Sequence, residues 1–292
     1  VGVTDFLASA VGVRPDRIGL TDGRRSWSFR ELDGWVRTAS ERLVRLGARP
    51  GRPAALIASP SADAVVGLHA LFRSGAVVVP LNPDLAAEAM AETLDLLDPS
   101  PIVVDGTAGA AVDPAAGGTG GARTVTLADV VSAAGSDDPS VVGRSAGPDS
   151  GGQASGPGPD GVPGIAAVLW TSGTSGRRRG VLVTAEGLRR SARASRARLE
   201  LGPDDRWYAS LSPAHVGGLA LVTRAALLGS SLVATGPFRA DELSRLMDDG
   251  RVTHASVVPT MLRRLLDHRN DRAPPPSFRC LLVGGAACPA PL

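Results

Sequence analysis

The chain has 292 residues, 43% of them hydrophobic and only 3% aromatic, with a net charge of +2. That apolar content suffices for one large domain or two modest ones, while the near balance of charge excludes a global field for nucleic acid or an anionic membrane. All 31 basic residues are arginine, so no lysine is present to act as nucleophile or phosphate clamp.

In chain order, "VGVTDFLASAVGV" holds Asp5 and no basic run, unlike a secretory leader. Next, "SWSFRELDGWVRTASERLVRLG" sets Ser28 three residues before Glu31 as a capping box. Leu32, Val36, Ala39, Leu43 and Leu46 then follow at helical spacing, with Gly47 as a stop. The run "RPAALIAS" predicts a strand, Ser61 to Ser74 a helix, "GAVVVPLNP" a second strand, Leu85 to Leu97 a helix and "PIVVD" a third strand. Nearly all-apolar strands alternating with helices indicate an α/β fold, its parallel sheet covered on both faces.

From Gly106 to Gly164 the composition turns to Gly, Ala, Ser, Asp and Pro around one island, "ARTVTLADVVSAA". The remainder has too little apolar area to offset its ordering entropy and is expected to be a flexible surface insertion. The alternation then resumes with strands "IAAVLW", "GVLVT", "RWYASL", "SLVAT", "HASVV" and "FRCLLVGG". Helices are expected from Ala185 to about Leu199, Gly218 to Leu228, Ala240 to Asp249 and Pro259 to Asp267. This divides the chain into a first α/β subdomain over 1–105, the insertion over 106–164 and a second α/β subdomain over 165–292.

The stretch "GGLALVTRAALLGSSLV" is interrupted by Arg224 and is too short to span a bilayer. Cys280 and Cys288 have no metal-type partners at ligand spacing. Neither a zinc site nor a disulfide framework is indicated, and a reduced, cytoplasmic protein is expected.

"WTSGTSGRRRGV", Trp170 to Val181, joins two of these strands. Small residues let a backbone approach a phosphate, and successive N–H groups form an anion-binding concavity. Thr171, Ser172, Thr174 and Ser175 add hydroxyls, and Arg179 adds a permanently charged fork. It is not the common P-loop, because GxxxxGK[ST] requires Gly, Lys and Ser/Thr, and Arg178 stands five positions after Gly173. Composition alone leaves open a hairpin turn with a solvated arginine cluster. A nucleic-acid patch is disfavoured by the lack of interleaved aromatics.

"TSGTSGRRRGV" resembles the signature loop TSGTTGxPKGV of the adenylate-forming (AMP-binding) superfamily, which includes acyl- and aryl-CoA synthetases. The match holds at Thr171, Ser172, Gly173, Thr174, Gly176, Arg179 and Gly180, and departs at Arg178, where the superfamily has proline or a small residue. "LSPAHVGGL" is similar to the segment at the junction of nucleotide and acyl pockets, which implies a catalytic, pocket-shaping role for His215 with Gly217 beside it. "LLVGGAACPAPL" is similar to the adenine segment, which implies that Gly284, Gly285, Ala286 and Ala287 pack against the base.

The resemblance further implies that Thr171 to Gly176, Ser175 included, and Arg179 hold the phosphates of ATP together with Mg²⁺. The implied fold is the large N-terminal domain of these enzymes, two stacked βαβ-type subdomains with helices on both sheet faces. The implied activity converts a carboxylic acid to its acyl-adenylate and then to a thioester with CoA.

Within the superfamily, the stretch from "HVGGLALVTRAALLGSSLV" to "FRCLLVGGAACPAPL" is most similar to the 2-succinylbenzoate:CoA ligases of menaquinone biosynthesis. Arg224 gives that likeness a physical basis, because an arginine in an apolar helix requires a counter-charge or a route to water. It stands nine positions after His215, where some such ligases hold the substrate's second carboxylate. Snorkelling to the surface or pairing with an internal Asp or Glu is the competing expectation. A ligase for another aryl or fatty acid, or a nucleotide-binding fragment without catalysis, are the alternatives for function. The sequence stops at Leu292, ahead of the superfamily's YGxTE-type segment, ribose-binding aspartate, hinge and small lysine-bearing domain. These residues alone are therefore expected to bind nucleotide weakly and turn over little, with homo-oligomerisation left open.

Overall fold

The computed structural model describes residues 4–106, 123–132, 164–171, 179–270 and 272–288. The chain begins with α1 (Ala8–Val13), β1 (Ile18–Thr21), β2 (Ser26–Ser28), α2 (Phe29–Arg45), β3 (Pro53–Ile57), α3 (Ala62–Arg73) and β4 (Val77–Leu81). It continues with α4 (Ala87–Leu97), β5 (Ile102–Val104), β6 (Thr124–Thr126), α5 (Leu127–Val131), β7 (Ile165–Thr171), β8 (Arg179–Thr184) and α6 (Ala185–Leu199). The last elements are β9 (Arg206–Tyr208), α7 (Val216–Leu228), β10 (Ser231–Val233), α8 (Ala240–Asp248), β11 (His254–Val257), α9 (Pro259–Arg269) and β12 (Cys280–Val283).

The strands form two six-stranded sheets, ordered β12-β11-β9-β10-β1-β2 and β6-β5-β3-β4-β7-β8. Each is parallel except for an antiparallel pair at one edge, β1 with β2 and β7 with β8. Parallel strands need crossovers that cover both faces, and β3 and β4 are accordingly buried along their whole length. A shared core lies between the sheets, built from Leu56 and Val78 of one, Leu20 and Trp207 of the other, and helical residues such as Leu43, Leu68 and Leu219. Outside them, α4 covers one sheet through Met90 and Leu94. Leu243 and Leu265, from α8 and α9, cover the other over Tyr208 and Val233.

Local signals explain the helix starts. The Ser28 hydroxyl accepts the Glu31 N–H at 3.2 Å while the Glu31 carboxylate accepts the Ser28 N–H at 2.7 Å, a reciprocal cap of about 1 kcal/mol. Ser61 caps α3 in the same sense, accepting the Ala64 N–H at 3.0 Å.

The two sheets cut across the division of the chain at 106–164. β1 and β2 join the sheet of β9 to β12, whereas β7 and β8 join that of β3 to β6. Strand partners are chosen by burial over long sequence separations, which no local pattern records. The island in the insertion belongs to the core as β6 and α5, with Leu127, Val130 and Val131 buried and the Val131 carbonyl accepting the Trp35 indole N–H. The rest of the insertion lies outside the described residues. Among the described residues no helix is long and apolar enough to cross a membrane, and Cys280 and Cys288 are free thiols.

Candidate active site

Three of the expected segments follow the carboxyl ends of parallel strands, the usual position of ligand sites in open α/β sheets. β7 and β8 pair with Trp170 opposite Gly180 and Thr171 opposite Arg179. Thr171 and Arg179 are exposed, and the Thr171 hydroxyl donates to the Arg179 carbonyl at 3.4 Å. Ser172, Gly173, Thr174, Ser175, Gly176 and the divergent Arg178 lie outside the described residues.

In the other sheet, the turn after β9 delivers His215 as the N-cap residue of α7, its side chain exposed and its N–H bonded to the Ser212 carbonyl at 3.1 Å. Gly217 is also exposed. Gly218 packs so closely on the turn that a β-carbon there would lie 2.2 Å from the Ser212 carbonyl oxygen. Only glycine lets the helix start at that point, and with it the placement of His215. Ser210 in the same turn has a buried hydroxyl with no hydrogen-bond partner among the described residues. Beneath it, Ser61, Leu68, Leu211, Gly218 and Val222 enclose a crevice of about 10 Å³, room for about one water molecule.

Gly284, Gly285, Ala286 and Ala287 form an exposed strip beyond β12. The Gly284 N–H extends the ladder to the Val257 carbonyl at 3.1 Å, and Gly285 turns the chain away with φ +85°, a value glycine tolerates best. The structure thus gathers His215, Gly217 and the Gly284 segment at the carboxyl end of one sheet. The pair of Thr171 and Arg179 belongs to the other.

Arg224 sits lower on α7, about 13 Å along the helix from His215 at the standard rise, and no contact joins them. Its guanidinium lies on the sheet-facing side, 4.5 Å from the centre of the Trp207 ring, and the residue is only 8% exposed. Among the described residues its one hydrogen bond is long, 3.5 Å to the Ser195 hydroxyl. No carboxylate among those residues reaches it, and its low exposure shows that it does not snorkel to water. Burial lowers its pKa, with the neighbouring Cys280 acting in the opposite sense. A cation–π contact offsets part of such a desolvation cost.

The sheet face under Arg224 carries residues that no motif marks. Trp207, His254 and Cys280 are adjacent in register across β9, β11 and β12. A histidine inside the apolar run "HASVV" and a tryptophan in "RWYASL" were the available sequence signals.

The fold is shared with solved structures. The O-succinylbenzoate coenzyme A synthetase of Bacillus subtilis, in complex with AMP, superposes with a TM-score of 0.80 at 24% identity, over 99% of this chain and 69% of that one. The inhibitor-bound N-terminal domain of FACL13 from Mycobacterium tuberculosis gives 0.81 at 22% identity, over 98% and 70%. By sequence, the 2-succinylbenzoate–CoA ligase of Bacillus licheniformis is 33% identical over 288 residues, 99% of this chain and 55% of the relative. That of Geobacillus sp. (strain WCH70) is 28% identical over 290 residues, 99% and 54%. The chain spans about half the length of these curated relatives. The model of one family, described as AMP-binding enzyme, matches residues 7–292, and the chain belongs to that family.

Proposed function

We propose that the chain is the acid- and nucleotide-binding part of an ATP-dependent acid–thiol ligase whose acid is 2-succinylbenzoate. The observation that carries the choice of acid is Arg224, a buried cation without a carboxylate partner among the described residues. A substrate with two carboxylates supplies that partner and leaves its other carboxylate for chemistry near His215. Helical side chains lean toward the helix N-terminus, which shortens the span the acid must bridge. The names of the relatives are in accord with this reading.

In the proposed reaction a carboxylate oxygen attacks the α-phosphorus of ATP, forming an O–P bond as the bond to pyrophosphate breaks. The thiolate of CoA then attacks the acyl carbon, and the C–O bond to AMP breaks. Such transfers leave the protein chiefly to position groups and stabilise charge. The segment between Thr171 and Arg179 holds the β- and γ-phosphates, Arg179 adding a fixed positive charge. Gly284 to Ala287 pack on adenine, and His215 with Gly217 forms the wall beside the reacting carboxylate. Mg²⁺ would neutralise the triphosphate, held largely by phosphate oxygens and water. The exposed Thr171 hydroxyl is a hard oxygen donor suited to it.

The test is calorimetric titration with ATP·Mg²⁺ and with non-hydrolysable acyl-adenylate mimics of 2-succinylbenzoate and of benzoate. Tighter binding of the dicarboxylate mimic is expected. Equal affinity for the two mimics, or no binding of either, overturns the proposal.

A further inference from the structure

His254 begins β11 and is 1% exposed. Its ring lies 4.7 Å from that of Trp207, on the face where Arg224 covers the same indole. Its Nδ1 is 2.7 Å from the Thr253 hydroxyl and 3.6 Å from the Asp205 carboxylate. That carboxylate is already engaged by Arg279 at 2.7 Å and by the Gly202 N–H at 2.7 Å. The other nitrogen, Nε2, is buried with no partner among the described residues. A buried polar atom without a partner loses its hydration with nothing in return and requires an explanation.

The hydrogen-bond network indicates which proton the ring carries. The Thr253 oxygen accepts the Arg206 N–H at 2.9 Å. Its own hydrogen has a nearer acceptor in His254 Nδ1 than in the Arg206 carbonyl at 3.3 Å. A hydroxyl donating to Nδ1 leaves the ring hydrogen on Nε2, which makes Nε2 a donor. Burial lowers the pKa of this histidine, as do the charges of Arg279 and Arg224, while Asp205 opposes them. Two buried donors, Arg224 and His254 Nε2, thus share one sheet face, and among the described residues no carboxylate accepts from either. Access exists along β12, where Cys280 is half-buried and Leu282 is 37% exposed on the same face.

We infer that His254 is a specificity-determining residue. Its Nε2–H donates to the remote carboxylate of the acid that Arg224 neutralises, so that the pair reads an acidic group at the far end of the substrate. The inference rests on the reading of the site as a pocket for a dicarboxylic acid.

The experiment compares His254→Phe, which keeps a ring against Trp207, with His254→Gln, which restores an amide donor. Binding of the 2-succinylbenzoyl- and benzoyl-adenylate mimics and of AMP is titrated for each. The Phe variant should weaken the dicarboxylate mimic by about tenfold or more, the loss of one hydrogen bond to a charged group. It should leave the benzoyl mimic and AMP unchanged, and the Gln variant should recover most of the loss. Equal weakening of both mimics, or of neither, overturns the role of His254 while the dicarboxylate reading stands. A wild-type chain that does not distinguish the mimics removes both. Should either variant fail to fold, ¹⁵N-imidazole spectra of the wild type decide. A shift of the His254 Nε2 resonance with the dicarboxylate mimic alone supports the inference, and its absence refutes it.

Discussion

Replacing Arg224 by methionine separates a functional charge from a packing residue. Arg224 is 8% exposed, and its guanidinium lies on the Trp207 ring with no carboxylate partner among the described residues. The contact with the indole contributes about 0.5–2 kcal/mol. Keeping an uncompensated charge out of water costs several kcal/mol, and replacing buried charged groups by apolar ones of similar size often stabilises a protein by about 1–4 kcal/mol. Methionine is close to arginine in helix propensity and adaptable enough to cover the indole. Taken at their midpoints, the two leave a net gain of about 1 kcal/mol for Arg224→Met without ligand, accompanied by loss of preference for the dicarboxylate mimic. Urea unfolding followed by far-UV circular dichroism measures the first quantity, as a higher midpoint at unchanged slope. A variant less stable than the parent by about 1 kcal/mol or more would falsify the account and leave Arg224 a structural partner of Trp207.

Gly218→Ala forces a methyl group to within 2.2 Å of the Ser212 carbonyl oxygen and 2.6 Å of that of Leu211. Both are backbone atoms and neither can swing aside, so the start of α7 must move, at a cost of about 1–3 kcal/mol. Since the His215 N–H bonds the same Ser212 carbonyl, binding of both acyl-adenylate mimics should weaken as well. An unaltered melting temperature with unaltered titrations contradicts this. His69, 3% exposed on α3, has its pKa lowered from 6.5 to about 3, first by burial and then by Arg73. The unfolded chain takes up this proton near pH 6.5 whereas the folded chain resists until about 3. Stability is therefore full above 6.5 and declines as pH falls toward 3, with about 2 kcal/mol lost at pH 5. In His69→Gln the fall in stability between pH 7.5 and 5 should shrink by that amount; an identical fall means that His69 is protonated in the folded protein.

Local chemistry was legible in the residues themselves. The capping box of Ser28 and Glu31, the helix beginning at about Ser61 and the fully apolar strands β3 and β4 act within a few residues, and the structure places them where their spacing predicts. The loop between Thr171 and Arg179 was expected to join two strands, and β7 and β8 flank it as an antiparallel pair. By contrast, α1 has only six residues and β1 only four, too short for a periodic signal, and β1 acquires its place by pairing with β10 more than 200 residues away.

For the site, sequence could name Arg224 as a charge in an apolar helix, but not what lies beside it. Trp207, His254 and Cys280 come from three separate strands and meet only because parallel pairing sets them in one register row. Which of two faces a strand residue occupies depends on a register that shifts every side chain when it slips by one. The residues alone thus determined where helices start and which segments extend, because those are short-range properties of the backbone. Tertiary structure alone decided that Thr171 and Arg179 belong to one sheet while His215 follows a strand of the other, and that Arg224 and His254 share one buried face, because long-range pairing and burial choose the neighbours.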